Sequence, residues 1–291
     1  MLDALGVSNY SIDEAIQFNE QKNDLIKKAL EQHASTKSVI DIMRSLENLS
    51  LMFSKSTKQS NTIPYPEIEK GLFGDTILFC WPISAESETT RNNETWKLFP
   101  WVAFFLEQVI ISGIERGILL RGAISIGKYA YDENTFLGPA ITDAHAWSEE
   151  ADWFGVILTP HCRIYLTYLF ENDAERGKIL ENPLFFPMKY EDMIFVKYNV
   201  PLHNQKFKEL FALSWPVHLL MEGEANGKSG SMMLAHYLLN NSIPKGTESK
   251  YENSFNFLRW FEKESWPKMR KNLIKDKYNF KKDADPVPKE H

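Results

Sequence analysis

The chain has 291 residues, 43% of them apolar and 25% charged, and a formal net charge of −6 at pH 7. Those fractions are those of an ordinary soluble globular protein, built as one large domain or as one domain with an appendage. The acidic balance argues against a nucleic-acid binder, because neutralising phosphates takes clustered Lys and Arg, and no run of about eighteen apolar residues reads as a membrane span. No basic-then-apolar leader opens the sequence. Cys80 and Cys162 lie far apart, and Cys80 falls in a strand expected to be buried, so a reduced, cytoplasmic protein is the expectation.

Met1 to Val7 reads as the end of a strand running into a turn. Ser11 and Glu14 then form a capping box, and Ile12, Ala15, Phe18, Leu25 and Ala29 continue a helical pattern to about Ala34. A second helical segment carries Val39, Ile42, Met43, Leu46 and Leu49, and ends before Pro64 and Pro66. Gly71 to Trp81, GLFGDTILFCW, is two short apolar runs meeting at the turn dipeptide Gly74-Asp75, which predicts a β-hairpin. Glu94 to Gly117 follows as a helix with Phe99, Val102, Ala103, Leu106, Ile110 and Ile114 on one face and Gly117 at its stop. Ile118 to Tyr131 reads as a strand covered on both faces.

Gly138-Pro139 opens a helix through Ala140, Ala144, Trp147 and Ala151, with Pro in its first turn. Phe154 to Thr159 is a short strand, and Pro160 starts a helix to about Phe170. Phe195 to Val200 and Glu209 to Trp215 read as paired strands, and Leu219 to Ile243 and Glu248 to Trp266 as helices. The basic stretch Lys268 to Lys282 reads as solvated surface, and disorder is expected from about Asp283. This order predicts an α+β fold, a mixed or antiparallel sheet with helices on one face. It divides the chain into residues 1–172, a strand-and-helix extension over 173–282 packed on them, and a tail over 283–291.

Asp3 and Asp75 are the leading candidates for chemistry. Each follows an apolar strand-like run and precedes turn residues. A carboxylate on a tight turn braced by strands suits a metal ligand, although Asp75 also reads simply as the residue that shapes the turn. If the first strand lies beside the hairpin, both carboxylates leave one sheet edge. Two carboxylates in a small space repel unless a hard divalent cation sits between them. Gly223 to Ser229, GEANGKS, is one residue short of a P-loop and reads as a polar loop closed by a capped helix. Glu149, Glu150 and Asp152 read as a solvated helix end. His145 reads as a surface or partner-contact histidine. Trp147, Trp153, Trp215, Trp260 and Trp266 read as core and interface residues. Cys162 beside His161 shows no third orienting group and is no nucleophile signature.

Four stretches, taken in order, carry a resemblance. Asp3-Ala4-Leu5-Gly6, Phe73-Gly74-Asp75-Thr76, Leu120-Arg121-Gly122-Ala123-Ile124-Ser125-Ile126-Gly127 and Leu137-Gly138-Pro139-Ala140-Ile141 resemble the catalytic domain of class III nucleotide cyclases over roughly residues 1–160. They are most similar to small stand-alone bacterial forms, which include the pyrimidine cyclases of antiphage signalling.

The resemblance implies a ferredoxin-like cyclase architecture with a C-terminal extension. It implies a homodimer with sites shared between protomers, and a nucleoside triphosphate converted to a 3′,5′-cyclic nucleotide and pyrophosphate. Asp3, Asp75 and the Ala4 carbonyl would hold two Mn²⁺ or Mg²⁺ ions. Backbone N–H groups of Leu5, Gly6, Val7 and Ser8 would meet the triphosphate, with Gly74 and Thr142 also at the nucleotide.

The departures bear on activity. The purine-reading Lys of the family falls on Gly71, with Lys70 one residue off, which points to a pyrimidine. Its transition-state Asn and Arg fall on Thr142 and Ala146, which cannot do the same work. Lys128, Arg121 and His145 are the available replacements, Lys128 first. Only two residues precede Asp3, where the family's first strand has several. The alternative is a catalytically silent nucleotide-binding sensor of the same fold, and a third reading is a protein-interaction module built on it.

Overall fold

The computed structural model describes residues 2–4, 68–73, 76–83, 87–132, 135–172, 194–239, 243 and 245–271. The expected helices over 11–49 and the tail from 283 lie outside these residues. The described chain is α+β, and its main sheet is mixed and seven-stranded, in the order β2-β3-β1-β4-β7-β9-β8. The strands are β1 (Leu2–Ala4), β2 (Glu69–Phe73), β3 (Thr76–Cys80), β4 (Leu120–Ile124), β7 (Gly155–Leu158), β8 (Phe195–Leu202) and β9 (Lys206–Leu213). A separate two-stranded arm joins β5 (Ala130–Asp132) to β6 (Thr135–Leu137). The helices are α1 (Glu88–Glu115), α2 (Pro139–Glu150), α3 (Pro160–Asn172), α4 (Pro216–Ala225), α5 (Gly230–Leu238) and α6 (Glu248–Glu264).

The hairpin around Gly74-Asp75 forms as the sequence predicts: β2 and β3 pair antiparallel from Glu69↔Cys80 to Phe73↔Thr76. β1 inserts between β3 and β4, antiparallel to both, with Asp3 opposite Thr76 on one side and Arg121 on the other. The C-terminal strands join the same sheet, since Ile157 of β7 pairs with Ala212 of β9. The boundary expected near residue 172 therefore falls within one sheet rather than between two packed units.

Helices cover both faces of that sheet, not one. Strand residues of opposite parity face opposite sides. Leu120 packs under Gly113 of α1, and Phe79 meets Phe105 of α1 edge-on with ring centroids 5.0 Å apart. The next residue after Leu120, Arg121, turns the other way and donates to the carbonyls of Glu149 at 3.2 Å and Ala151 at 3.5 Å, at the end of α2. Leu78 and Cys80 face that second side too, in a small cluster with Phe136 of the arm, Tyr129 and Ile141. The same alternation recurs on β8: Phe195 stacks on Phe99 of α1, while Tyr198 lies against Phe257 and Trp260 of α6. A sequence pattern gives the apolar stripe of a helix but not the sheet face it chooses.

Local chemistry sets the element ends. Helix α1 starts earlier than the apolar pattern suggests because Ser87 caps it, accepting from the Thr90 N–H at 3.1 Å, with Glu88 in the first turn favoured by the helix dipole. It stops at Gly117, φ 72°. There the Ile118 N–H reaches Gly113 O and the Gly117 N–H reaches Ile114 O, each at 2.8 Å, a double cap that needs the left-handed backbone. The GEANGKS stretch is the end of α4, a turn, and then Ser229 capping α5 through the Met232 N–H at 3.2 Å, as the polar-loop reading requires. The expected long strand over 118–131 is instead the five-residue β4 followed by a loop into the arm.

The core is richest where α6 meets the sheet. Trp153, Phe154, Trp215, Phe257 and Phe261 are fully buried, each worth about 1.5–3 kcal/mol from transfer alone. Ser254 of α6 ties this region to β7. Its hydroxyl accepts the buried Phe154 N–H at 2.8 Å and donates to Lys250 O at 2.6 Å. Ser254→Ala orphans the Phe154 N–H, so denaturant unfolding should show a loss of about 1–3 kcal/mol, whereas Ser249→Ala at the exposed end of the same helix should fall within about 0.5 kcal/mol of the parent.

Candidate functional site

The residues singled out in the sequence fall at two opposite ends of the sheet. β1 is antiparallel to β3 and β4, so Asp3 and Ala4 lie at the end where β3 and β4 begin. The hairpin turn lies at that same end, because Phe73 and Thr76 close it. Thr76, the residue after Asp75 in sequence, stands directly opposite Asp3. This juxtaposition meets the condition for a carboxylate pair that the sequence alone leaves open. Asp75, Gly74 and Leu5 to Ser8 lie outside the described residues, as does the Asp3 side chain. Among the described residues no group of three or more His, Cys, Asp or Glu stands ready to hold a metal ion.

Lys128 and Thr142 belong to the other end. Ser125 is four residues past Arg121, which at about 3.3 Å per residue is roughly 13 Å along the strand direction from the Asp3 pairing. There the C-terminal ends of β3 and β4 open onto a cavity of about 820 Å³, lined among others by Phe79, Trp81, Phe99, Val102, Ile124 and Tyr129. Lys128 is exposed and lies on its wall, with Arg91 and His161. Thr142 is exposed on α2, and its hydroxyl turns back on the Gly138 carbonyl at 3.3 Å. Ala146 is exposed one turn further along the same helix.

Two polar pairs brace this end. The Tyr129 hydroxyl donates to the Glu69 carboxylate at 2.7 Å. Burial first, then that hydrogen bond and the carboxylate's charge, hold the phenol well above its usual range. Ser125 donates to Asp143 at 2.6 Å, fastening the end of β4 to α2. Gly138, φ 142°, is required where α2 starts, since a Cβ there would stand 2.6 Å from the Lys128 carbonyl. Glu69 and Tyr129 are sixty residues apart, and no local spacing marks them as partners.

The replacement cations sort clearly. Arg121 is buried and committed to the Glu149 and Ala151 carbonyls. His145 is exposed and sits 3.7 Å from Glu149, one turn along its own helix. Lys128 alone of the three lies on the cavity wall. Neither cysteine is poised for chemistry. Burial pushes the Cys80 thiol up to about 11, and burial, reinforced by the charge of Asp143, pushes Cys162 up further. The thiolate is the reactive form.

Compared with protein-family models, with curated proteins and with solved structures, the chain matches none. Among the described residues no helix is long and apolar enough to cross a membrane.

At pH 8 a maleimide or disulfide reagent should therefore label neither Cys80 nor Cys162 in the folded protein, and both in denaturant. Fast labelling of folded protein at either position would contradict the burial described.

Proposed function

We propose that the protein is a metal-dependent nucleotide cyclase of the class III type, taking a nucleoside triphosphate, first of all a pyrimidine one, to its 3′,5′-cyclic nucleotide and pyrophosphate. The observation that carries this reading is the register of β1: Asp3 stands opposite Thr76, next in sequence to Asp75. Two divalent ions, Mn²⁺ or Mg²⁺, held by the Asp3 and Asp75 carboxylates and the Ala4 carbonyl, would supply the positive charge that ionises the ribose 3′-hydroxyl and neutralises the leaving phosphates. The bond formed is from the ribose 3′-oxygen to the α-phosphorus. The bond broken is from that phosphorus to the oxygen bridging to the β-phosphate, and the hydroxyl proton passes to solvent. Backbone N–H groups of Leu5, Gly6, Val7 and Ser8 would bind the triphosphate, and Gly74 in the hairpin turn would let it approach closely.

The separation of the two ends of the sheet favours a shared site. Lys128 and Thr142 lie at the far end from Asp3, so within one chain they do not reach a triphosphate held there. In a two-fold homodimer the cavity end of one protomer faces the carboxylate end of its partner, and Lys128 supplies the cation that Ala146 cannot. A second reading has a specific observation behind it. Thr142 is engaged with its own helix backbone, Ala146 carries no charge and Arg121 is committed to carbonyls. Those facts favour a sensor that binds nucleotide without turnover.

Incubation with Mn²⁺ and each of the four ribonucleoside triphosphates decides between them, with pyrophosphate and cyclic product as readouts. The cyclase reading expects product from the wild type, none from Asp75→Ala, and a loss on the order of 10³ in rate from Lys128→Ala. Mn²⁺-dependent triphosphate binding with no product from any of the four supports the sensor. Absence of Mn²⁺-dependent binding, or equal binding by Asp75→Ala, removes both.

A further inference from the structure

One flank of the cavity is built without β1. It lies between the segment that follows β3, the first turns of α1 and the first turns of α3, and its wall carries Trp81, Arg91, Asn92, Phe99, His161 and Tyr165. Two hydrogen bonds set how the helices meet there. The Tyr165 hydroxyl donates to Asn92 Oδ1 at 3.0 Å, and the Tyr168 hydroxyl donates to Glu88 Oε1 at 3.1 Å. Later residues of α3 thus meet earlier residues of α1, so the two helices run counter to each other. His161, one turn before Tyr165, comes level with the turn of α1 that holds Thr95 and Phe99.

This flank is rich in donors and short of acceptors. The two carboxylates on the cavity wall are both engaged, Glu88 by Tyr168 and Glu69 by Tyr129 at 2.7 Å. The Asn92 oxygen is taken by Tyr165, which leaves the N–H groups of that amide to donate. Among the described residues the Arg91 guanidinium, the Lys128 ammonium and the His161 ring have no ion pair or side-chain hydrogen bond. Arg91 and His161 are exposed, and exposed cations by themselves make only a solvated rim. Here they stand beside an aromatic wall. Phe79 and Trp81 lie 6.1 Å apart, ring centre to ring centre, Trp81 meets Phe105 edge-on at 5.6 Å, and Phe99 lines the cavity from α1. Trp81 is only half-buried, so part of its indole is left uncovered next to the donors.

We propose that this flank binds a small aromatic carboxylate, its ring against Trp81 and Phe99 and its carboxylate received by Arg91, the Asn92 amide and His161. A cavity of about 820 Å³ is of the size that small-molecule sites have. The charge of the ligand follows from the uncommitted side-chain groups, which are donors and cations. Its planar apolar body follows from the aromatic wall, against which a ring packs with more than its area alone. The guanidinium of Arg91 offers a carboxylate two parallel N–H donors. The inference uses neither Asp3 nor Asp75 and no metal ion, so it stands or falls apart from the cyclase reading.

Calorimetric titration of metal-free protein with naphthoate tests it. The comparators are naphthylmethanol, which keeps the rings and drops the charge, and decanoate, which keeps the charge and drops the rings. One-site binding of naphthoate is expected, at least tenfold tighter than either comparator. Arg91→Gln and His161→Gln change exposed positions, and each should weaken naphthoate roughly tenfold, the loss of one charge-assisted hydrogen bond, while leaving naphthylmethanol unchanged. Trp81→Leu should weaken both naphthyl compounds, and Lys197→Gln, on β8 outside the cavity, should weaken neither. Absence of saturable naphthoate binding, naphthoate no tighter than either comparator, or naphthoate affinity unchanged in both Arg91→Gln and His161→Gln would overturn the proposal.

Discussion

The structure depends on the three-residue strand β1. Without it the sheet is two pieces, the β2–β3 hairpin and the β4-β7-β9-β8 block, with no strand between them. Leu2 and Asp3 pair with Ile77 and Thr76 on one side, and Leu2 to Ala4 pair with Gly122 to Leu120 on the other. So few residues make few hydrogen bonds, and a typical bond contributes only about 0.5–1.5 kcal/mol net. The lateral join therefore leans on the helix that crosses it. α1 spans both pieces, packing Phe105 on Phe79 of the hairpin and Gly113 on Leu120 of the block. Close packing at Gly113 matters here, because a Cβ at that position would stand 2.8 Å from the Ile118 carbonyl.

The same strand sets which residues lie at each end of the sheet. Its direction sends Asp3 toward the hairpin turn, away from the cavity end of the sheet. One end carries the Asp3–Thr76 pairing, and the other an apolar cavity with Lys128, Arg91 and His161 around it. On the cyclase reading these are the two halves of a shared site, one from each protomer. Their separation along β4 is then what makes a dimer necessary for turnover. The commitment of Arg121 to the carbonyls that end α2 explains why this cation, although next to Asp3 in register, is not the one to bet on.

Much of the fold was legible because its signals are local. Gly74-Asp75 between β-branched and aromatic residues is a hairpin whatever surrounds it, and Gly138-Pro139 opens α2 because Pro suits a first turn. The neighbourhood of Asp3 and Thr76 was legible only as a condition, since register between strands more than seventy residues apart has no sequence signature. What was not legible is long-range. The face each helix covers depends on which side of β4 meets which partner, and Arg121, one apparent blemish in an apolar strand, proves to be the residue that fastens α2. The loop from Ser125 to Tyr129 read as strand because it directly continues the apolar run of β4, but the pairs Ser125–Asp143 and Tyr129–Glu69 hold it in another course. The cavity has no sequence trace, because its walls come from stretches of the chain that lie far apart, Glu69 to Ile83, Glu88 to Val102, Ala123 to Ala144 and His161 to Tyr165 among them.

On the proposed cyclase reading, the Asp3–Thr76 register marks a metal site completed by Asp75. Paramagnetic broadening by substoichiometric Mn²⁺ in amide NMR spectra tests it at the residues concerned. The account predicts that the Asp3, Ala4 and Thr76 amides broaden first in the wild type and stay sharp in Asp75→Asn. Broadening that leaves those three amides untouched, or that persists unchanged in Asp75→Asn, would contradict it.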